Sequence, residues 1–195
     1  LFAWSAFDEA RNVDFSGTLL VRPGGNLAFD PMPLSDHDAA HLASLGGVAW
    51  ILVSNADHVR AAVDLAGRFG AHIAAPAGDR DLPELRNLAV DRWLDEGDEL
   101  EGVRCFRLDG GKTPGELAFL LPPGDTLLCG DLVRGQRAGS LNLLPDPKLQ
   151  DKAVALASVA RLAALPGLDA VLVGDGQSVF RGGAARLAEL LEAAR

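Results

Sequence analysis

The sequence predicts an α/β fold in which two mixed β-sheets pack face to face and helices cover their outer faces. Continuous apolar runs alternate with helical patterns in the first half, which is typical of buried strands joined by helices. Three closely spaced strand patterns follow, and the last third holds a helix, a strand and a helix. A chain of 195 residues buries a sizeable core without disulfides, so we expect one domain over residues 1–195.

The first elements are a predicted hairpin and a helix. Strand-like runs at residues 18–21 and 26–29 flank the sequence Arg-Pro-Gly-Gly, which is a turn signal. Ser35 and Asp38 stand three residues apart at the start of a helical pattern, as they do in a capping box. We therefore expect a helix from Ser35 to about residue 45, where two consecutive glycines end it.

A β–α–β unit is predicted next. The runs at residues 48–53 and 71–75 are continuously apolar, as expected for strands that are buried on both faces. A helical pattern that ends at Phe69 and Gly70 separates them, and this order produces a right-handed crossover between parallel strands. A polar stretch at residues 79–101 follows, to which the prediction assigns no strand or helix.

The second half predicts a three-stranded meander followed by helices. Apolar runs at residues 103–108, 117–121 and 126–129 are short and are separated by tight turns. Apolar residues then recur every three or four positions, which predicts a long helix at residues 148–165. The last predicted elements are a strand at 170–173 and a helix at 184–194. This order fits two sheets with helices on both outer faces.

Composition and charge exclude several classes of partner. The net charge is −9 and the basic residues are scattered, which disfavours nucleic acids and anionic membranes as partners. No apolar run approaches the length needed to span a bilayer. Cys105 and Cys129 lie in apolar strand patterns, which indicates buried thiols in a reducing compartment. We therefore expect a cytoplasmic protein that binds a small-molecule ligand or substrate, with its oligomeric state left undefined.

Polar clusters follow four of the predicted strands. They occur at residues 54–58, 110–115, 130–131 and 174–176. Ligands bind at strand ends in layered α/β proteins, because the strand fixes the geometry and the loop supplies the functional groups. Convergence of these loops would bring together Asp57, His58, Lys112, Asp131 and Asp175. Three carboxylates and an imidazole in one pocket repel one another unless Lys112 or another cation compensates their charge.

The four clusters resemble, in order and approximate separation, motifs of the metallo-β-lactamase superfamily. Val-Ser-Asn-Ala-Asp-His at residues 53–58 resembles His-x-His-x-Asp-His, and Gly-Lys-Thr-Pro-Gly at 111–115 resembles Gly-His-Thr-Pro-Gly. Gly-Asp at 130–131 is similar to the motif with the metal-bridging aspartate, and Gly-Asp-Gly at 174–176 to the final Gly-His-Gly. This likeness implies a metallo-β-lactamase-like αββα four-layer sandwich.

Several of the superfamily's metal-binding histidines are replaced in this sequence. Val53 and Asn55 stand at the first two histidine positions, and Lys112 stands at the position of the loop histidine. In the superfamily those three histidines hold one metal ion. The resemblance therefore implies that the first metal site is lost, with an ammonium group where the ion would bind, and that the active site is degenerate.

The positions that match the second metal site are better preserved. The resemblance implies Asp57, His58, Asp131 and Asp175 as ligands, with Asp175 in place of the last histidine. Aspartate is a competent ligand for Mn, Fe or Zn, so one such ion is chemically reasonable. The protein would then be a metal-dependent hydrolase of unknown substrate. Asp57 and Lys112 would be its catalytic residues, with Lys112 polarising a carbonyl or phosphoryl oxygen.

A metal-free site is the alternative hypothesis. Lys112 would then form salt bridges with Asp131 and Asp175. Asp57 and His58 would be residues at the start of a helix, where an aspartate is favoured by capping alone. The protein would be a non-catalytic member of the fold that binds a ligand or a partner. The residues leave both hypotheses open, and with them the question of whether the protein is an enzyme.

Overall fold

The computed structural model describes residues 1–194 and contains two large β-sheets flanked by helices. The strands of the first sheet, β1 to β6 in order, are Phe2–Asp8, Val13–Leu20, Leu27–Phe29, Trp50–Leu52, His72–Pro76 and Arg92–Leu94. Strands β1 to β3 pair antiparallel, whereas β3 to β6 pair in parallel. The predicted hairpin and the predicted β–α–β unit therefore lie in one mixed sheet.

The second sheet has five strands, and a two-stranded ribbon accompanies it. The remaining strands, β7 to β13, are Glu99–Leu100, Val103–Arg107, Leu117–Leu121, Thr126–Cys129, Val133–Arg134, Asn142–Leu143 and Ala170–Val173. The order in the second sheet is β13-β10-β9-β8-β7, and β11 pairs with β12 in the ribbon. The predicted meander forms β8, β9 and β10, and β13 adds to β10 in parallel.

Helices connect the strands and cover the sheets. The α-helices α1 to α5 are Asp36–Ser44, Ala62–Phe69, Pro83–Arg86, Lys152–Ala163 and Gly183–Ala193, and short 3-10 helices occupy Ala56–His58, Ala77–Asp79 and Asp146–Lys148. Ser35 caps α1 by accepting a hydrogen bond of 3.1 Å from the backbone N–H of Asp38. None of the helices within residues 1–194 has the length and apolar character to cross a membrane.

Several segments differ from the prediction, and three of them have a clear physical reason. Strand β1 is missed because it is an edge strand whose side chains stay exposed or half-buried, so its hydrophobic pattern is weak. The polar stretch at 79–101 contains α3, β6 and β7, which have at most four residues and are too short for a periodic pattern. Helix α4 begins at Lys152 and not at the predicted residue 148, because the Asp151 side chain caps it by accepting from the N–H of Val154 at 3.0 Å.

The hydrophobic core is divided into three layers, which confirms the predicted αββα sandwich. Between the sheets, Phe29 of the first sheet packs on Phe119 of the second with ring centroids 5.5 Å apart. Leu65 of α2 belongs to a cluster on the outer face of the first sheet. Val159 of α4 and Leu187 of α5 belong to a cluster on the outer face of the second. Burial of these side chains supplies most of the driving force for folding.

Backbone hydrogen bonds join the two sheets at the edge where the polar loops emerge. The N–H of Leu117, at the start of β9, donates to the carbonyl of Ser54 at 2.8 Å. The N–H of Ser16 in β2 donates to the carbonyl of Gly174, directly after β13, also at 2.8 Å. These contacts hold loops from opposite sheets next to each other and define one face of the molecule as the candidate site.

Candidate functional site

The polar loops converge on a cavity of about 770 Å³ at this edge. Its lining includes all five side chains that the sequence predicts for the site, namely Asp57, His58, Lys112, Asp131 and Asp175. The hairpin formed by β1 and β2 supplies one wall, on which Phe7 and Phe15 face the cavity. A cavity of this size is appropriate for a small-molecule ligand.

Two buried carboxylates fix the loop at residues 54–58. Asp30, directly after β3, accepts hydrogen bonds from the Ser54 N–H at 2.7 Å and the Ser54 hydroxyl at 2.6 Å. Asp79, after β5, accepts from the N–H of Ala56 at 2.9 Å and from the N–H of Gly115 at 2.6 Å. Asp79 thereby ties the loop that carries Asp57 and His58 to the loop that carries Lys112.

Asn55 and Gly130 set the close approach of two further loops. The Asn55 side-chain oxygen accepts from the N–H of Asp57 at 2.9 Å and starts the 3-10 turn. A β-carbon at position 130 would lie 2.6 Å from the Ser54 hydroxyl oxygen and 2.9 Å from the Asn55 amide nitrogen. Glycine is therefore required at 130 for the loop with Asp131 to pack against the loop with His58.

His58 is buried and has a partner on each ring nitrogen. Nδ1 lies 2.8 Å from the Asp30 carboxylate, and Nε2 lies 3.1 Å from the Arg60 guanidinium and 3.7 Å from Asp131. Burial opposes the charged ring, but the carboxylates of Asp30 and Asp131 outweigh it and raise the pKa of His58 to about 9. In the charged ring Nε2 carries a proton, and in the neutral ring it accepts from Arg60, so its lone pair is used in either state.

Asp131 and Glu116 are buried neighbouring carboxyl groups that differ in protonation state. Burial would raise the pKa of Asp131, but the charged His58 ring at 3.7 Å and the charges of Lys112 and Arg134 hold that pKa well below its usual range. Burial, together with the Asp131 charge, raises the pKa of Glu116 to about 8. At neutral pH Asp131 is therefore ionised, whereas most Glu116 side chains are protonated.

Lys112 pairs with Asp57. Its ammonium contacts the Asp57 carboxylate and lies 4.0 Å from the Asp131 carboxylate, and both members of the Lys112–Asp57 pair are more than one-third exposed. The metal-free hypothesis placed Lys112 between Asp131 and Asp175. That expectation is wrong for Asp175, because two arginines already hold its carboxylate.

Arg60 and Arg134 are site residues that the sequence interpretation does not assign to the site. The Arg60 guanidinium donates to Asp175 at 3.3 Å. The Arg134 guanidinium donates to the other Asp175 oxygen and lies 3.4 Å from Asp131. Both arginine side chains are largely buried, with 11% and 14% of their surface exposed. Their position two and three residues beyond the motif residues His58 and Asp131 is the signal that points to them in the sequence.

His58, Asp131 and Asp175 form a group that offers a metal ion three ligand atoms within 4.8 Å of one another. The fourth residue proposed as a ligand, Asp57, contacts Lys112 instead. Both oxygens of Asp175 accept from guanidinium groups, and Nε2 of His58 faces the Arg60 guanidinium. Arginine stays charged in proteins, so it competes directly with a cation for these atoms. As arranged here, the donor set does not fit a metal ion.

A family model matches the whole described length of the chain, and a curated relative matches part of it. Residues 1–194 match the family model described as the metallo-beta-lactamase superfamily. Over 132 residues the chain is 38% identical to a hydroxyacylglutathione hydrolase of Acidiphilium cryptum strain JF-5, a match that includes 61% of this chain and 53% of that protein. The chain thus spans about half the length of this curated relative.

Solved structures match the fold along nearly the whole chain. The protein TTHA1623 in a di-iron-bound form has a TM-score of 0.72 and 26% identity, covering 94% of this chain and 98% of its own. The DIM-1 metallo-beta-lactamase has a TM-score of 0.74 and 18% identity, covering 98% and 92%. FIM-1 from Pseudomonas aeruginosa, in its mono-zinc form, has a TM-score of 0.70 and 18% identity, covering 98% and 90%.

Proposed function

This chain belongs to the metallo-beta-lactamase superfamily, and we propose that it binds a small anion in a metal-free site without hydrolysing it. The observation that carries the proposal is the pair of guanidinium groups, from Arg60 and Arg134, that hold Asp175. These groups contact the atoms that would otherwise bind a metal ion, namely both oxygens of Asp175 and Nε2 of His58. The proposal includes the loss of the first metal site that Val53, Asn55 and Lys112 imply.

The charge of the cavity supports an anionic ligand. Its lining contains five basic side chains, Arg11, Arg60, Lys112, Arg134 and Lys148, and four acidic ones, Asp14, Asp57, Asp131 and Asp175. Five positive against four negative charges give the lining +1, and His58, which is protonated at neutral pH, raises this to +2, although the whole chain carries −9. A basic cavity in an acidic protein attracts small anions, while the acidic exterior repels polyanions.

Lys112 and Arg134 have donors to offer such a ligand. The Lys112 ammonium carries three N–H donors, and its side chain is 39% exposed. Arg134 uses its terminal Nη2 for Asp131 and Asp175, and no hydrogen bond within residues 1–194 involves its other terminal nitrogen, Nη1. A carboxylate or phosphate accepts from several such donors at once, and charge-assisted hydrogen bonds of this kind are the strong ones.

Titration of the ¹⁵N-labelled protein with inorganic phosphate tests the proposal. We expect saturable chemical-shift changes at the amides of Lys112, Arg134 and Gly135, and we expect them to weaken as salt is added. Lys112→Met removes the charge but keeps an unbranched side chain, and it is expected to weaken phosphate binding about ten-fold. Arg68→Met removes a charge from an exposed position of α2 and is expected to leave binding unchanged.

Two results would contradict anion binding. One is the absence of saturable shifts at these amides with phosphate and also with acetate, which presents the alternative carboxylate chemistry. The other is equal phosphate affinity in the native protein and in Lys112→Met, since this would place the bound anion away from the cavity.

A metal-dependent hydrolase with a single ion is the second candidate. It is favoured by the group of His58, Asp131 and Asp175 and by the 38% identity to a hydroxyacylglutathione hydrolase over 132 residues. Asp57, His58, Asp131 and Asp175 would hold one Mn, Fe or Zn ion, which would supply a nucleophilic water. This candidate requires both guanidinium groups to withdraw from Asp175, and the metal content of the purified protein distinguishes it from the first.

A further inference from the structure

We infer that the guanidinium groups of Arg60 and Arg134 take the structural place of a metal ion. They join the two halves of the site, and their removal uncovers a metal site formed by His58, Asp131 and Asp175. The inference rests on the metal-free part of the proposed function. It goes further by assigning the role of the ion to two named side chains and by predicting a property that the native protein lacks.

Arg60 joins elements of both sheets. Its Nη1 donates to the carbonyls of Ser16 at 3.1 Å and Asp30 at 3.3 Å, which belong to β2 and to the loop after β3. Its Nη2 donates to Asp175 at 3.3 Å, in the loop after β13 of the second sheet. One buried cation therefore bridges the two sheets at the site, as an ion with ligands from both sheets would.

Arg134 completes the arrangement from the other side. It is anchored by the β11–β12 ribbon, and its Nη2 lies 3.4 Å from Asp131 and contacts the Asp175 oxygen that Arg60 leaves free. Asp131 follows β10 and Asp175 follows β13, two parallel neighbours in the second sheet. Without a cation between them, two buried carboxylates at adjacent strand ends would repel each other strongly.

The charges of the two arginines match those of a divalent ion. Each guanidinium is permanently charged, so together they provide the same total charge as one Zn²⁺ or Mn²⁺ ion.

The backbone of Arg60 adopts a left-handed conformation with a φ of 41°, which is unfavourable for a residue with a β-carbon. Backbone strain of this kind is concentrated at functional sites.

The test is a gain of metal binding in the variant Arg60→Met/Arg134→Met. Methionine fills much of the space of the arginine stem without its charge or donors. The purified native protein and the variant are each incubated with Zn²⁺ and with Mn²⁺, dialysed, and analysed for bound metal and for thermal stability. We expect about one ion per chain in the variant and background metal in the native protein. We also expect a rise in the Tm of the variant when the ion is added, because a ligand that binds only the folded state stabilises it.

Three controls identify the ligands and the cause. Adding Asp175→Asn to the double variant is expected to abolish the gained binding. Arg60→Lys/Arg134→Lys keeps both charges and is expected to bind no metal. Arg68→Met/Arg137→Met removes two exposed arginine charges and is also expected to bind none, which separates a local site from a general change in net charge.

The possible outcomes are distinct. A folded Arg60→Met/Arg134→Met variant without stoichiometric metal would overturn the inference while leaving the proposed function intact. If that variant does not fold alone, the inference predicts that Zn²⁺ restores folding, and failure to fold with Zn²⁺ present would overturn it. Stoichiometric metal in the native protein would overturn the proposed function itself.

Discussion

The two ends of the site compensate their carboxylates in different ways. At one end the Lys112–Asp57 pair is half-exposed, with 39% and 34% of the two side chains accessible to solvent. At the other end Asp131 and Asp175 are buried, with 6% and 3% accessible, and face the largely buried Arg60 and Arg134. The exposed cation replaces a motif residue, whereas the buried cations come from positions outside the motifs.

The stability of the site resides mainly at its buried end. An ion pair near solvent is screened and contributes little, whereas a buried charge that loses its partner is strongly destabilising. The buried end therefore depends on all its members being present. At the exposed end, Lys112 can leave Asp57 and bind a ligand at little cost in folding stability.

The largest effect on stability is expected when a carboxylate is removed at the buried end and compared with the same change at the exposed end. Asp175→Asn leaves two buried guanidinium groups without their shared carboxylate, and we expect a loss of about 3–5 kcal/mol of unfolding free energy. Asp57→Asn removes the carboxylate of the exposed pair, and we expect a loss below about 1 kcal/mol. Urea unfolding followed by tryptophan fluorescence measures both, and equal losses would contradict the comparison.

An intermediate effect is expected from Glu116, which lies buried beside Asp131. Its pKa is raised to about 8 in the folded protein from 4.5, so its contribution to stability is full below pH 4.5 and is lost as the pH rises towards 8. Glu116→Gln resembles the protonated form at every pH. The stability of this variant relative to the native protein should therefore increase between these pH values, by up to about 1.4 kcal/mol per pH unit.

Denaturation at a series of pH values measures this difference. The Glu116→Gln substitution keeps the acceptor for the N–H of Leu132, which Glu116 Oε1 binds at 2.7 Å, so the local fold is preserved. A difference in stability that does not change between pH 5 and 8 would show that Glu116 is ionised in the folded protein, and that the buried end is better solvated than its geometry indicates.

The smallest expected effect is the coupling between Lys112 and Asp57. A double-mutant cycle with Lys112→Met and Asp57→Asn is expected to give a coupling free energy below about 1 kcal/mol, and high salt should reduce it further. A coupling of several kcal/mol that resists salt would place this pair in the same class as the buried arginines and remove the contrast between the two ends.

Much of the fold is predictable from the sequence because its local signals agree with one another. The apolar runs that become β4 and β5 and the meander that becomes β8, β9 and β10 have the length and composition of buried strands. The glycine-containing loops after them place the motif residues at one edge. The convergence of Asp57, His58, Lys112, Asp131 and Asp175 on one cavity follows from that order.

The partners of these residues are less predictable, because they depend on conformation rather than on pattern. Arg60 reaches Asp175 from a left-handed backbone, and Arg134 is placed by a ribbon with two residues in each strand. Asp30 precedes a proline and has the appearance of a turn residue, and Asp79 lies in a polar stretch. Both acids are nevertheless buried and hold the site loops.

The most direct test of the account is the metal content of untagged protein, purified without chelators and measured by inductively coupled plasma mass spectrometry beside an Asp57→Ala/Asp175→Ala variant. With Arg60 and Arg134 in place of an ion, we expect background Mn, Fe and Zn in both proteins, even after incubation with those ions. Near-stoichiometric metal in the native protein that disappears in the variant would contradict the account and establish the metal-dependent hydrolase instead.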